Sequence, residues 1–409
     1  MLMGTVVGIL VPAGSGWDFA NFYDTGRRII AGQFDDLYHP ERLIAGAEPQ
    51  GKILGYYGTP ISALLWAPFG YLSPSWAMIA FKLQNTLAYF AALALLYVHN
   101  RSFADSTPLA QARFAALFTG LGLLYQPLWT VYRVGGQSTP TVFLLLTLGL
   151  IFHVRAKFVL SAACIVSAVL IKPAFIFALA LMVLVSGWQF LFSVAAVFAL
   201  AGSISVPLLG WNVHAEFLRV MAQGSQETRP WFYNSSLYVI GDNLRLLSDT
   251  ITQSLPLRLS TLVVKLLAIS VCVYSIVKSR GSKLTDAARH HFNFMTAIVL
   301  CLLVSHIVWE HYLTALLPML IYIAASKRHF SREALILAGL IFALAAWQNL
   351  ILINLIRTYT SFDTVPELIA IGVLKSSPLI LTLVFMWRYS REVLQSYSAP
   401  AWLPGTAND

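Results

Sequence analysis

The sequence predicts an all-α polytopic integral membrane protein: a bundle of about twelve transmembrane helices, with surface helices in two long external loops. Hydrophobic residues make up 58% of the 409-residue chain and charged residues only 11%, with a mean hydropathy of +0.70. Soluble domains are about 45–50% apolar and about 25% charged. The composition therefore excludes a soluble globular enzyme, a disordered chain and a nucleic-acid binder, which would need clustered Lys and Arg.

The second observation is a series of apolar runs, because a helix needs about 20 mostly apolar residues, roughly 17–25, to cross a bilayer. Runs of that length are 76–98, 112–131, 189–209, 255–278, 288–306, 333–355 and 369–388. Shorter apolar runs are 138–152, 158–171, 173–186 and 311–326. Residues 1–11 lack the basic segment and cleavage site of a signal peptide. We interpret them as part of a first helix whose start is missing or misassigned.

The third observation is that basic residues concentrate in alternate connectors between these runs. By the positive-inside rule those connectors are cytoplasmic, so most of the net charge of +9 reflects topology. We expect one domain over residues 1–409 in the plasma membrane of a bacterium (the inner membrane), with both termini cytoplasmic and loops 12–59 and 210–254 outside. Residues 60–72, short and containing proline, are expected to be interfacial or re-entrant rather than a span.

Residues 17–32 form a predicted amphipathic helix in the first external loop, ended by Gly32. Apolar side chains recur along one face, which is typical of a helix that lies on a membrane surface. Asp18 stands at its start, where a carboxylate serves as an N-cap or as a general base that takes a proton from a bound hydroxyl. Asp24 is expected on the solvated face.

Tyr57 follows this helix in a run of tyrosine, glycine and proline. Tyrosines of this kind belong to the aromatic belt at the membrane interface. The alternative is an aromatic groove that holds a sugar or a lipid head.

Lys172, Arg133 and Lys265 are ionisable residues in apolar surroundings, where a charge is a functional hypothesis by default. Lys172 lies between two short apolar runs, where it would bind a lipid phosphate or pair with a carboxylate. Arg133 presents a choice between phosphate binding and a snorkelling interfacial arginine. Lys265 is near the middle of its span and is expected to face the bundle or a hydrated cavity.

His311 opens a helix just below the outer surface, where a lone histidine either packs or contacts a substrate or phosphate. We do not expect a metal site at His311. The three cysteines lie inside apolar runs as small hydrophobes. We therefore expect no metal and no cofactor.

His290 and His291 are expected to be solvated charges in a basic cytoplasmic turn.

Short motifs follow one another in order from about residue 17 to 320. They are Asp18-Phe19 with Tyr23, Tyr57 and Pro60, then Gly136-Gln137, Lys172-Pro173, Asn234-Ser235-Ser236-Leu237 and Trp309-Glu310-His311. In this order they resemble glycosyltransferase family 87, part of the GT-C superfamily of membrane glycosyltransferases that use polyprenyl-phosphate sugars. The chain departs from the family pattern at Thr59, where a proline is frequent, and at Tyr312, which replaces the second histidine of a pair. The shortened first helix is a third departure.

The resemblance implies a GT-C-like enzyme with an external active site. It would transfer one sugar, mannose, with inversion, from a polyprenyl phosphate to a hydroxyl of a lipid-linked or cell-envelope glycan acceptor. Asp18 would be the catalytic base. The substrate-binding residues would be Lys172, Arg133, His311, Gln137, Tyr57 and Asn234. Membrane lipids are the other expected partner, nucleic acid is not, and no oligomeric state follows from the sequence.

Two other classes of function remain as alternatives. The first is a polytopic transporter or lipid flippase without glycosyl-transfer activity, for which Lys265 is the supporting feature. The second is a non-catalytic scaffold of an envelope-assembly complex.

Overall fold

A computed structural model describes residues 17–39, 56–125, 136–224, 234–244, 255–347 and 364–397. Within these ranges the regular secondary structure is helical, and the one exception is an isolated antiparallel bridge between Asn234 and Trp309. The predicted all-α class is confirmed. The N-terminal stub, 1–11, lies outside the described residues.

The first part of the chain builds the helices that surround the site described below. They are α1 (Trp17–Ala31), α2 (Pro60–Ala63), α3 (Ala67–Gly70), α4 (Pro74–Asn100), α5 (Pro108–Leu123), α6 (Thr139–Val154), α7 (Phe158–Ile171), α8 (Ile176–Ser186) and α9 (Trp188–Leu209). Short 3-10 turns are Phe34–Asp36, Leu64–Trp66, Arg101–Phe103 and Pro173–Phe175. Thr107 caps α5 by accepting a 3.3 Å hydrogen bond from the Ala110 amide, and the proline that follows Thr107 needs no amide partner there.

The second part of the chain contains α10 (Trp211–Gly224), α11 (Val239–Leu244), α12 (Leu255–Arg280), α13 (Asp286–Val304), α14 (Leu317–Ala325), α15 (Arg332–Trp347) and α16 (Val365–Tyr397). Its 3-10 segments are Glu310–Leu316 and Lys327–His329. Thr285 caps α13, because its hydroxyl accepts a 3.2 Å hydrogen bond from the Ala288 amide.

Five of the described helices are long and apolar enough to cross a membrane: Pro74–Phe103, Trp188–Leu209, Leu259–Arg280, Asp286–Val304 and Val365–Tyr397. Shorter apolar helical stretches are Pro60–Gly70, Thr139–Val154, Phe158–Ile171, Pro173–Ser186 and Glu310–Ala325. The chain is a multi-pass membrane protein, as predicted. The described residues do not confirm a total of twelve helices, and the spans predicted at 112–131 and 333–355 lie partly outside them.

Helix α13 forms the centre of the bundle. Every residue from 291 to 303 is buried, and the helix packs against α6, α8, α12 and α16. By contrast, α9 and α12 expose large apolar side chains such as Phe192 and Val263. Lipid chains, unlike water, solvate such surfaces, so these two helices have the outward faces expected at the edge of a membrane protein.

The prediction that Asp24 is solvated is wrong. Helix α1 packs against α3, and this contact encloses part of the face that carries its charges. Asp24 is 5% exposed, and its carboxylate lies 2.8 Å from Nε of Arg28, which is 1% exposed. A buried carboxylate is tolerated when it is paired, so the spacing of four residues explains why both charges can enter the interior.

The prediction that His290 and His291 are solvated in a turn is also wrong. Both lie inside α13, which begins several residues earlier at Asp286. His291 is 1% exposed and stacks on His99 with ring centroids 5.4 Å apart. His290 is half-buried. His291 lies on the side of α13 that faces α4 and α16. The basic residues nearby in the sequence do not indicate this packing.

Candidate active site

Three polar side chains from distant parts of the sequence meet at one end of the bundle. Asp18 lies in the first turn of α1, Gln137 just before α6, and Lys172 between α7 and the turn that precedes α8. Nζ of Lys172 donates a 2.8 Å hydrogen bond to Oε1 of Gln137. The Gln137 side chain in turn donates to the Asp18 carboxylate. The proposed base and the proposed phosphate ligand therefore belong to one hydrogen-bonded chain.

A glycine brings the first two of these residues together. Gly136 has a φ of 67°, and a Cβ placed on it would lie 2.6 Å from Cβ of Phe19. Only glycine fits a left-handed backbone at so close an approach. Phe19 is anchored in turn against the ring of Phe81 on α4, at a centroid distance of 5.4 Å. The backbone before Gln137 is thus held directly against the helical turn that contains Asp18.

Lys172 is fixed by the end of α7. Its amide donates to the Ala168 carbonyl at 2.9 Å, and Pro173 then ends the helix. The neighbouring Leu170 carbonyl accepts two hydrogen bonds from Thr59, one from the amide at 3.2 Å and one from Oγ1 at 2.8 Å. A proline at position 59 could make neither bond. The departure from the family pattern therefore ties the first loop to the helix that positions Lys172.

Burial shifts both ionisable groups toward their neutral forms, and both groups lie outside the spans. Burial raises the pKa of Asp18, while the hydrogen bond from Gln137 and the charge of Lys172 oppose that shift. Burial lowers the pKa of Lys172 to about 7, opposed by the charge of Asp18. Lys172 is only 7% exposed. An arriving anion would restore the charged form of the lysine, since an opposite charge favours it.

The aromatic ring of Tyr312 also contacts Lys172. The ammonium lies 4.7 Å from the centroid of the Tyr312 ring, a cation–π contact. The His311 ring packs against Tyr312 at 4.9 Å. Nε2 of His311 is buried and has no hydrogen-bond partner among the described residues. The sequence identified Tyr312 only as a departure from a motif, whereas in the structure it is one wall of the lysine site.

The remaining predicted site residues have other placements. Asn234 is fully buried, and its Oδ1 accepts hydrogen bonds from the Val308 and Ser236 amides at 3.0 Å each. This side chain holds the loop that precedes the Trp309 motif. Tyr57 is 42% exposed. Arg133 lies outside the described residues.

A buried ion pair that the sequence analysis did not single out lies near this cluster. Lys375, on α16, is fully buried and pairs with Glu310, which is 5% exposed. The available signal was a lysine in the middle of the apolar run 369–388, a placement that usually marks a functional or paired residue. Lys265, which the sequence analysis did single out, is half-buried with its ammonium 4.7 Å from the Tyr238 ring centroid.

Within the described part of the chain, no group of three or more His, Cys, Asp or Glu side chains could hold a metal ion. The chemistry that the described cluster offers is that of a half-buried carboxylate, Asp18, and a buried ammonium, Lys172, joined through the amide of Gln137. Such an arrangement can accept a proton at Asp18 and stabilise negative charge at Lys172.

Comparison with known proteins gives two similarities. The family model described as glycosyltransferase family 87 matches residues 56–306, a range that includes Gln137, Lys172 and Asn234. Among solved structures, the chain is similar to the crystal structure of ArnT from Cupriavidus metallidurans bound to undecaprenyl phosphate. That similarity has a TM-score of 0.44 at 17% identity, and it covers 97% of this chain and 74% of that one. No curated protein matches the sequence.

Proposed function

Because the chain belongs to glycosyltransferase family 87, we propose that it moves one sugar, mannose, from a polyprenyl phosphate to a hydroxyl of a lipid-linked or cell-envelope glycan. The observation on which the proposal depends is the chain of hydrogen bonds from Asp18 through Gln137 to Lys172. In this chain the side-chain amide of Gln137 links a proton acceptor, Asp18, to a cation, Lys172. Glycosyl transfer to a hydroxyl from a phosphate donor requires this pair of functions.

Asp18 is the proposed general base. Its pKa is raised by burial, and a carboxylate with a raised pKa takes a proton more readily than an ordinary one. The acceptor oxygen attacks the anomeric carbon while its proton passes to Asp18. The bond from that carbon to the phosphate oxygen breaks, and its electron pair leaves with the polyprenyl phosphate. A single displacement of this kind inverts the anomeric centre.

Lys172 is the proposed phosphate ligand. The phosphodiester of the donor has one negative charge, and the leaving polyprenyl phosphate gains a second as the bond breaks. A fixed cation at this position therefore stabilises the transition state more than the ground state, which is what accelerates a reaction. His311 and Arg133 are proposed to contact the same phosphate. Gln137 orients both charged groups, and Tyr57 and Asn234 stay proposed binding residues.

The proposed setting follows from topology. We take the basic connectors at the end of the bundle away from Lys172 as cytoplasmic. The proposed site is then on the external face of a bacterial inner membrane, and both termini are proposed to be inside. Nucleotide sugars are scarce there, so a donor that enters laterally from the bilayer suits the site.

The test is a transfer assay with purified protein in lipid vesicles, polyprenyl-phospho-mannose and candidate lipid acceptors, followed by mass spectrometry. We expect product from the wild-type protein and a loss of roughly a hundredfold to ten-thousandfold in kcat for Asp18→Asn, the range for removal of a general base. The matched control is Asp35→Asn, at an exposed aspartate after the same helix, which should retain full activity.

Equal transfer by Asp18→Asn and wild type would overturn the general-base assignment. Flux of the polyprenyl lipid across the vesicle without product from any donor would instead support the transporter class and contradict the proposed reaction.

A further inference from the structure

A second polar cluster lies along the 3-10 segment Glu310–Leu316, next to the site at Lys172. One carboxylate oxygen of Glu310 pairs with Lys375, and the other, Oε2, is buried without a hydrogen-bond partner among the described residues. The hydroxyl of Thr314, in the same segment, is also buried without a hydrogen bond of ordinary length and angle among the described residues. Tyr125 lies beside Thr314 and within electrostatic range of Glu310. The cluster thus contains a carboxylate oxygen and two hydroxyls.

These atoms are unusual because they are deeply buried and, apart from the contact of the Tyr125 and Thr314 hydroxyls with each other, have no hydrogen-bond partner among the described residues. Glu310 is 5% exposed, and Thr314 and Tyr125 are 1% exposed each. Within the described part of the chain, the Tyr125 and Thr314 hydroxyls make no hydrogen bond of ordinary length and angle. Nearly all buried polar atoms in native proteins have a partner, and an exception requires an explanation. Two further buried hydroxyls without partners there, those of Ser138 and Thr139, lie at the start of α6, which packs against this segment.

The charges define the class of ligand. Lys375 balances Glu310, so the cluster as a whole attracts neither an anion nor a cation strongly. A carboxylate oxygen accepts hydrogen bonds, and threonine and tyrosine hydroxyls both donate and accept them. Together they match a neutral polyol, whose hydroxyls need both kinds of partner.

The position of the segment connects this cluster to Lys172. In a 3-10 helix, side chains at i and i+3 lie on one face, which puts His311 and Thr314 on the same side of the segment. His311 is within electrostatic range of Lys172, and Thr314 is beside Tyr125. A ligand with an anionic group next to a neutral polyol, as in a glycosyl phosphate, would extend from Lys172 along this face.

We propose that Glu310, Thr314 and Tyr125 form the subsite that binds the hydroxyls of the transferred sugar and so determines which sugar the protein accepts. This inference rests on the proposed function and deepens it. Lys375 acts as a positioning residue, because it holds Glu310 by one oxygen and leaves the other for the sugar.

The experiment compares donors that each lack one sugar hydroxyl. kcat/KM is measured for wild type, Glu310→Gln and Tyr125→Phe with polyprenyl-phospho-mannose and with its singly deoxygenated analogues. With the complete donor we expect Glu310→Gln to lose roughly tenfold to a hundredfold, the range for a hydrogen bond to a charged group. With the one analogue that lacks the hydroxyl bound by Glu310, the variant and the wild type should differ by less than about threefold.

Two controls separate recognition from folding. Tyr89→Phe also removes a buried tyrosine hydroxyl, but that hydroxyl donates to the Gly122 carbonyl at 2.7 Å, so any loss should be the same for every donor. Glu310→Gln combined with Lys375→Met avoids an unbalanced charge and should show the same donor dependence. If both Glu310 variants fail to fold, the donor dependence of Tyr125→Phe, which keeps the aromatic ring, tests the sugar subsite by itself.

An equal loss with every donor, for the Glu310 variants and Tyr125→Phe alike, would overturn the sugar subsite while leaving the proposed reaction intact. Absence of transfer by the wild-type protein would contradict the proposed reaction itself and the subsite with it.

Discussion

At the scale of single residues, Lys172 shows how burial prepares a side chain for a charged ligand. Its ammonium has one hydrogen bond, to Gln137, and the face of Tyr312. Neither neighbour neutralises its charge, and burial lowers its pKa to about 7. A lysine held in this way gains much more from a phosphate than an exposed lysine does, since the exposed one is already solvated by water.

This leads to a prediction about pH dependence. kcat/KM should rise with pH as Asp18 loses its proton, at a pKa raised above 3.8. It should fall again as pH rises through about 7, where Lys172 loses its proton. Lys172→Arg keeps the charge at all these pH values, so the falling limb should move to alkaline pH while the rising limb stays. The profile is measured as initial transfer rates at low donor concentration.

The control is Lys157→Arg, an exposed lysine at the other end of α7, whose profile should match the wild type. A falling limb that stays near pH 7 in Lys172→Arg would show that another group titrates there.

At the scale of elements, the crossing of α1 over α3 sets the position of Asp18. Gly26 and Gly70 face each other at this crossing: a Cβ on Gly26 would lie 2.2 Å from the Trp66 carbonyl oxygen, and one on Gly70 would lie 2.7 Å from the Gly26 carbonyl carbon. The backbones therefore touch without intervening side chains. Asp18 lies eight residues before Gly26, about 12 Å along the helix axis, so a tilt at the crossing is amplified at the carboxylate.

Gly26→Ala should consequently lower kcat/KM for transfer by roughly tenfold to a hundredfold, the effect of misplacing a catalytic group by about 1 Å. Gly120→Ala is the matched control, because a Cβ at that helical position meets no atom within 4 Å, and it should leave transfer unchanged. Full activity of Gly26→Ala would mean that the crossing does not set the geometry at Asp18.

At the scale of the whole molecule, the candidate site occupies one end of the bundle. Helix α7 lies between Lys157, just before its first residue, and Lys172, just after its last. Helix α8 follows from the Lys172 end, and α9 leads back to that end, where α10 begins. Consequently α10 and Lys172 belong to the same end, and Lys157 to the opposite end. The positive-inside rule assigns the Lys157 end to the cytoplasm.

The orientation can be tested with cysteines introduced after the three native ones are replaced. A membrane-impermeant maleimide should label Ala215→Cys, at an exposed position on α10, in intact cells. Lys157→Cys should react only after the cells are lysed, since the bilayer separates it from the reagent. The reverse pattern would place the candidate site on the cytoplasmic side.

Much of the fold could be predicted from the sequence because its signals are local. Apolar runs set the membrane class, and the run 158–171 matches α7 at both ends. Amphipathic spacing predicted α1, which spans Trp17–Ala31. Asp18, Gln137 and Lys172 could be proposed as site residues because each lies in a short contiguous motif.

Only the tertiary structure decided which charges are buried and what they contact. Whether a charge such as Asp24 or His291 is solvated depends on helices far away in sequence, as does the pairing of Glu310 with Lys375. The spacing of residues in the sequence predicts which side chains share a face of one helix. Whether that face is buried depends on the neighbouring helices. The contact of Tyr312 with Lys172 shows this most directly: a substitution read as the loss of a histidine supplies the aromatic face that covers the buried ammonium.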